Sequence, residues 1–204
     1  MACWSCERPE GDGAFCEKCG AIQPPRARSH FEVLGLATGF EIAPGELEAR
    51  YKDLHRRLHP DRFARAEARA RMYSLRHATA LNDAYRTLRD PARRAEYLLR
   101  LSGVEIDSDR ARDGARTVQP DPALLVEMME LQETLADAKL EGRAEDVGRM
   151  AKDVRLRRER TLAQVAREFA TSEDGALERI AQHLAALRYY DRFLAEAGAK
   201  EQAA

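Results

Sequence analysis

Pro60 decides how the first half of this chain can fold. A proline has no N–H to give a helix and drives the residue before it out of the α region. The stretch before it is nonetheless helical: Leu47, Tyr51, Leu54 and Leu58 recur at three- and four-residue steps on one face, and Pro44 suits the first turn. The helix must therefore stop within Leu58-His59-Pro60-Asp61-Arg62. A second helical pattern runs on to Leu88, with Leu75, Ala78, Leu81, Tyr85 and Leu88 toward the first. His59, Pro60 and Asp61 then lie in the loop of a helical hairpin. Lys52 and Arg56 face away from the apolar seam and Arg50 and Arg57 flank them, so the loop adjoins a basic face. Phe31, Tyr51 and Tyr85 read as core.

Charged residues make up 34% and aromatics 6% of the 204, which favours an all-α fold with solvated charged helix faces. That length allows one large or two small domains. A net charge of −1 gives no overall basic field for nucleic acid. No apolar run approaches the ~20 residues that span a bilayer, and no signal or transit pattern opens the chain. No membrane association is expected. High Arg, Ala and Glu usage suggests a bacterial cytoplasm.

All four cysteines fall in the first 19 residues, so disulfides do not staple the main fold. Cys3-x2-Cys6 and Cys16-x2-Cys19, nine residues apart, suit one tetrahedral structural zinc ion. A redox dithiol pair and a rubredoxin-like iron site are the alternatives. The segment has too little apolar content to fold without metal. The nine-residue gap can fold back as a small hairpin, with Trp4 as a lid. Residues 1–28 are thus expected to form a separate zinc knuckle or ribbon, ending in a stiff Ile22–Arg28 linker that carries Pro24-Pro25. Glu7, Glu10, Asp12 and Glu17 oppose Arg8 and Lys18 there, which argues against a nucleic-acid-binding arm.

Ser29-x-x-Glu32 is a capping-box pattern, and Gly35 ends the short helix it opens. Asp90-Pro91 can begin a further short helix ending near Leu101, which closes a domain over 29–102. Residues 103–120 read as a linker. Asp121-Pro122 looks like the N-cap and first position of a new helix. Three seams follow: Leu124, Met128, Leu131, Leu135, Ala138; then Val147, Met150, Val154, Thr161, Val165, Phe169; then Leu177, Ile180, Leu184, Leu187, Leu194. With turns at Gly142 and Gly175, an antiparallel three-helix bundle over 121–198 is the economical answer. On its first helix, Leu125 and Met129 fall roughly 100–140° round from Leu124. With Val126, Glu130 and Glu133 beside them they form an apolar stripe bordered by acids. Either a wide bundle buries that stripe or a partner covers it.

Nothing points to catalysis. His55 and His59 are one helical turn apart, but Arg56 stands where a metal hydrolase would need its Glu. His77 and His183 read as ordinary helix residues, and no nucleophile elbow, P-loop or dinucleotide fingerprint occurs.

Segment 30–101 resembles a J domain, the module that stimulates DnaK/HscA-class ATPases through a His-Pro-Asp loop. The resemblance rests on His30-Phe31-Glu32-Val33-Leu34-Gly35-Leu36, on Arg50 to Leu58, and on Asn82-Asp83-Ala84-Tyr85-Arg86-Thr87-Leu88 with Asp90-Pro91. Tyr97-Leu98-Leu99 is similar to the HscB branch, the co-chaperones of iron–sulfur cluster assembly, some of which carry a tetracysteine arm. The resemblance implies chaperone contacts at His59, Pro60, Asp61, Arg50, Lys52, Arg56 and Arg57. It implies binding of an IscU-type scaffold at Leu125, Val126, Met129, Glu130, Glu133 and Tyr189. Val126 departs from the family's commoner Met, and Tyr189 from its frequent Phe. It leaves self-association through the arm open. A general J protein would show a Gly/Phe-rich segment or repeated Cys-x-x-Cys-x-Gly-x-Gly units, and neither is present. A zinc-arm module that binds nucleic acid or protein is the remaining alternative.

Overall fold

The computed structural model describes residues 2–9, 11, 13–106, 116–118, 120–171 and 173–198. The chain divides into two compact units, Met1–Asp90 and Pro91–Ala204. Unit 1 holds the cysteine arm, α1 (His30–Leu34), α2 (Pro44–Leu58), a 3-10 turn (Pro60–Phe63) and α3 (Ala68–Arg89). Unit 2 holds α4 (Pro91–Leu101), β1 (Val104–Glu105), β2 (Arg116–Thr117), α5 (Pro122–Leu140), α6 (Ala144–Thr171) and α7 (Ala176–Glu196).

The helix starts follow their capping residues. Ser29 Oγ accepts from the Glu32 N–H at 3.1 Å, and the Glu32 carboxylate accepts in return from the Arg28 N–H at 2.6 Å. Asp121 Oδ1 accepts from the Ala123 N–H at 2.9 Å, with Pro122 in the first turn.

The core of unit 1 is Phe31, Leu34, Leu47, Leu81, Ala84 and Leu88. Tyr51 and Tyr85 stack at 4.1 Å on its edge, half-buried. One position departs from the expected seam. Leu75 is 60% exposed, and Ser74 takes its place inside. The Ser74 hydroxyl donates to the Leu58 carbonyl at 2.7 Å, one of the orphan acceptors at the end of α2. A hydroxyl that satisfies a buried carbonyl outranks a leucine at that spot.

The arm packs within unit 1. Ile22 and Gln23, expected in a linker, are buried. Ile22 joins Leu58 and Ala70 in one apolar cluster, packed round by Trp4, Ala14, Phe15, Leu54, Phe63, Ala66 and Tyr73. Trp4 meets Tyr73 edge-on at 6.3 Å, so it contacts α3 as well as its own knuckle.

In unit 2, α5, α6 and α7 make the expected bundle, with α6 antiparallel between short turns. Gly142 (φ 68°) and Gly175 (φ 75°) take the left-handed conformation those turns need. The buried seams are Met128, Leu135 and Ala138 on α5, Ala151, Val154, Thr161 and Val165 on α6, and Ile180, Leu184, Leu187 and Phe193 on α7. The expected helix 91–101, α4, falls in unit 2 and packs on α7 rather than closing the preceding domain. Arg188 Nε donates to Glu96 at 2.9 Å along that seam. Inside the expected 103–120 linker, Val104 pairs in parallel with Arg116, and Val104 is fully buried.

Candidate functional site

The turn after α2 is set by its two ends. Leu58 is buried and its carbonyl is capped by Ser74; Phe63 packs into the same apolar cluster. Between them His59 is extended (φ −58°, ψ 131°), as a residue before proline should be. The Asp61 N–H donates to His59 Nδ1 at 3.3 Å. The Asp61 carboxylate stands 3.5 Å from the same nitrogen, and its side chain is 90% exposed. A turn with buried anchors thus presents one carboxylate to solvent. The rings of Tyr51, His55 and His59 follow each other along α2 at 5.5 and 5.1 Å, so His55 serves as a packing partner in a ring ladder.

The four basic side chains of α2 are exposed and paired within the helix: Arg50 with Glu46, Lys52 with Glu48, and both Arg56 and Arg57 with Asp53. Such pairs contribute little to stability. Their effect is to put acids at the start of α2 and cations at its loop end, in line with the helix dipole. Arg62 and Arg65 extend that cationic rim around the turn and are exposed. Their place in the sequence just after the turn, at one and four positions from Asp61, is the signal for them. Tyr85 donates to Glu48, which holds the Glu48 carboxyl below its usual range and Tyr85 above its own.

The four cysteines converge. Their sulfurs all lie within 4.8 Å of one another, with Cys3–Cys19 at 3.7 Å and Cys6–Cys16 at 3.9 Å. A tetrahedral ion with Zn–S bonds near 2.3 Å needs sulfurs about 3.8 Å apart, so the donor set fits. Two matching knuckles build it. Cys3 N–H donates to the Arg8 carbonyl and Glu7 N–H to Cys3; thirteen residues on, Cys16 N–H donates to Ala21 and Gly20 N–H to Cys16, all at 2.8–2.9 Å. The antiparallel bridges Ala2–Pro9 and Phe15–Ile22 flank the knuckles. Burial opposes ionisation of Cys3, yet the Cys6 and Ser5 N–H groups and the neighbouring thiols bring it down to about 6. The Arg8 N–H favours a Cys6 thiolate, but burial and three neighbouring thiols push Cys6 up to about 11. Like charges at this distance do not gather unaided; a cation is what four thiolates require. The Gln23 side-chain amide also donates to Cys3 Sγ at 3.2 Å.

On α5, Val126 is 57% and Met129 62% exposed, with Glu130 and Glu133 exposed beside them and Leu125 half-buried. Leu124 and Leu131 are themselves only half-buried, so this helix buries less of its apolar surface than the seam pattern asks. Tyr189 on α7 is half-buried, and its side chain makes no hydrogen bond or ring contact among the described residues. The histidines set aside in the sequence have defined places. Burial holds His77 below the usual histidine range, against a hydrogen bond to the Gln23 carbonyl at 2.8 Å. No described helix is long and apolar enough to cross a membrane.

Residues 120–198 match the family model of the HSCB C-terminal oligomerisation domain. The mouse protein named iron–sulfur cluster co-chaperone protein HscB is 34% identical over 198 residues, covering 92% of this chain and 77% of its own. A co-chaperone protein HscB homolog of Aeromonas hydrophila is 37% identical over 172 residues, covering 82% of this chain and 93% of its own. The crystal structure of human co-chaperone protein HscB superposes with a TM-score of 0.82 at 29% identity, over 99% of each chain.

Proposed function

Because the chain belongs to the HscB family of co-chaperones, we propose that it serves iron–sulfur cluster assembly by bringing an IscU-type scaffold to an HscA/DnaK-class chaperone and stimulating that chaperone's ATPase. The observation that carries this reading is the turn at His59–Asp61: a carboxylate nine-tenths exposed on a backbone fixed by Leu58 and Ser74. Asp61 and His59 would engage the ATPase domain. The cationic rim of Arg50, Lys52, Arg56 and Arg57, continued by Arg62, would steer an acidic surface toward it, so the encounter is weak and salt-sensitive. The segment around that turn acts as a J domain, and the bundle holds the scaffold through Leu125, Val126, Met129, Glu130, Glu133 and Tyr189. Joining the two on one chain raises the effective concentration of scaffold at the chaperone.

The chain contributes binding and orientation, and hydrolysis belongs to the chaperone. The metal is one structural zinc held by Cys3, Cys6, Cys16 and Cys19, which supplies a cross-link. The compartment is the cytoplasm. The test is steady-state ATP hydrolysis by HscA/DnaK-class chaperones with and without an IscU-type scaffold. Native protein should stimulate, more so with scaffold, and Asp61→Asn should lose about tenfold or more of the stimulation while keeping its circular dichroism. Stimulation indifferent to scaffold overturns the scaffold assignment, and stimulation indifferent to Asp61 overturns the loop assignment.

A further inference from the structure

The cysteine arm touches the hairpin beneath the exposed turn through Phe15, Ile22, Gln23 and Trp4. Phe15 lies under the Arg57 guanidinium, 5.4 Å from ring to carbon. Ile22 is buried against Leu58, the residue that precedes His59, and the same cluster takes in Phe63 at the turn's other end. The Gln23 carbonyl accepts from His77 Nε2 on α3 at 2.8 Å, while its side-chain amide donates to Cys3 Sγ and to the Ala21 carbonyl. Trp4 adds a fourth tie. Its indole N–H donates to the Ile22 carbonyl at 2.6 Å, and the Arg69 guanidinium sits 5.5 Å over its ring. These residues flank the knuckles directly. Phe15 and Ile22 are bridge partners on either side of Cys16–Cys19, and Gln23 bonds a ligand sulfur.

Packing between arm and helices is discontinuous. A cleft of about 310 Å³ remains there, lined among others by Ala14, Pro24, Leu54, Arg57 and His77. Docking therefore depends on the few contacts above, and those contacts depend on the knuckle geometry that a metal fixes.

We propose that Phe15, Ile22 and Gln23 are positioning residues: held by the metal-loaded knuckles, they brace the backbone from Arg57 to Ala66 and so fix the carboxylate of Asp61. The functional half of this proposal rests on the reading of that turn as the ATPase contact; the structural half stands without it. The brace acts on both ends of the turn through Leu58, Phe63 and the Arg57 guanidinium. A partner then meets a turn already ordered, and the entropy of ordering it is not charged to the encounter.

The experiment uses the full chain loaded with zinc, the same chain stripped by a chelator, and zinc-loaded Phe15→Ala and Phe15→Tyr. Amide hydrogen exchange is followed in peptides spanning 57–66, with α1 and α7 peptides as references. Stripping and Phe15→Ala should each speed exchange in 57–66 by on the order of tenfold, with α1 and α7 unchanged, and Phe15→Tyr should restore the native rate. Unchanged exchange in 57–66 when the arm's own amides lose protection overturns the brace. Loss of protection throughout α1 and α3 on stripping, with Phe15→Ala behaving as native, also overturns it, because the arm is then a folding element. In the ATPase assay Phe15→Ala should raise the co-chaperone concentration for half-maximal stimulation several-fold and leave the maximum intact; an unchanged half-saturation overturns the functional half. Should native protein stimulate no chaperone, the functional reading of the turn falls, and the exchange data still decide the brace.

Discussion

The turn at His59–Asp61 offers a partner one carboxylate on a backbone held at both ends, whereas α5 offers a stripe of apolar side chains on a helix that is otherwise filling a core. In the function proposed, the first surface would work by where a few atoms are and the second by how much area it covers. Asp61 is fixed through Ser74, Leu58 and Phe63, none of which is exposed at the surface. Val126 and Met129 stand mostly exposed on the helix that bears them. Substitution should therefore be all-or-none at Asp61 and graded on the helix, and the buried residues behind the turn should couple stability to function where those of the stripe do not.

The largest effect expected within this contrast is on α5 itself. Leu135→Ala removes a fully buried side chain and should cost about 2–5 kcal/mol of unfolding free energy. Val126→Ala with Met129→Ala, on the same helix, should leave denaturant unfolding within about 0.5 kcal/mol and weaken scaffold binding about tenfold, or ~1.4 kcal/mol by titration calorimetry. A large stability loss in the double variant would mean that the stripe belongs to the core.

Ser74→Ala sharpens the other side. It leaves the buried Leu58 carbonyl without its partner and should cost about 1–3 kcal/mol in thermal or denaturant unfolding. The variant changes no exposed atom, yet ATPase stimulation should fall. Full stimulation by a destabilised Ser74→Ala would show that the turn keeps its shape unaided.

The smallest effect concerns pH in the bundle. Burial depresses His183, with Glu168 acting to raise it and Arg179 and Arg167 to lower it. A histidine held neutral in the fold but free to protonate when unfolded gives stability that is present above the ordinary histidine pKa of about 6.5 and lost as pH falls through the lower folded value. Tm should drop on going from pH 7.5 to 5.5, and His183→Gln should shrink that drop by on the order of 1 °C. A drop of equal size in the variant would assign the pH dependence to other groups.

Much of this architecture is written locally. The break at Pro60, the caps at Ser29 and Asp121, and the glycine turns at 142 and 175 are each decided by residues within a few positions, and the structure has all of them. What the sequence hides is decided across distance. Nothing near Ser74 announces that its hydroxyl will meet a carbonyl sixteen residues away, so a periodicity count prefers Leu75. Ile22 looks like linker because its partners, Leu58 and Ala70, lie on two later helices. The apolar face of α4 is legible, but which unit it will cover is not. The stripe on α5 was legible as a second arc, since it exceeds what one seam can bury.

The thirteen-residue echo in the arm carries a consequence for its durability. The two knuckles repeat each other's backbone bonds, but they do not share the same view of solvent. The leading cysteine of each pair, Cys3 and Cys16, is buried, whereas Cys6 is half-covered and Cys19 open. With a metal held there, a chelator or an oxidant would meet Cys19 first, the most exposed of the four cysteines. Cys19 belongs to the knuckle whose flanks are Phe15 and Ile22. If the proposed brace holds, loss of that ligand would be felt first at the end of α2, where Ile22 packs on Leu58.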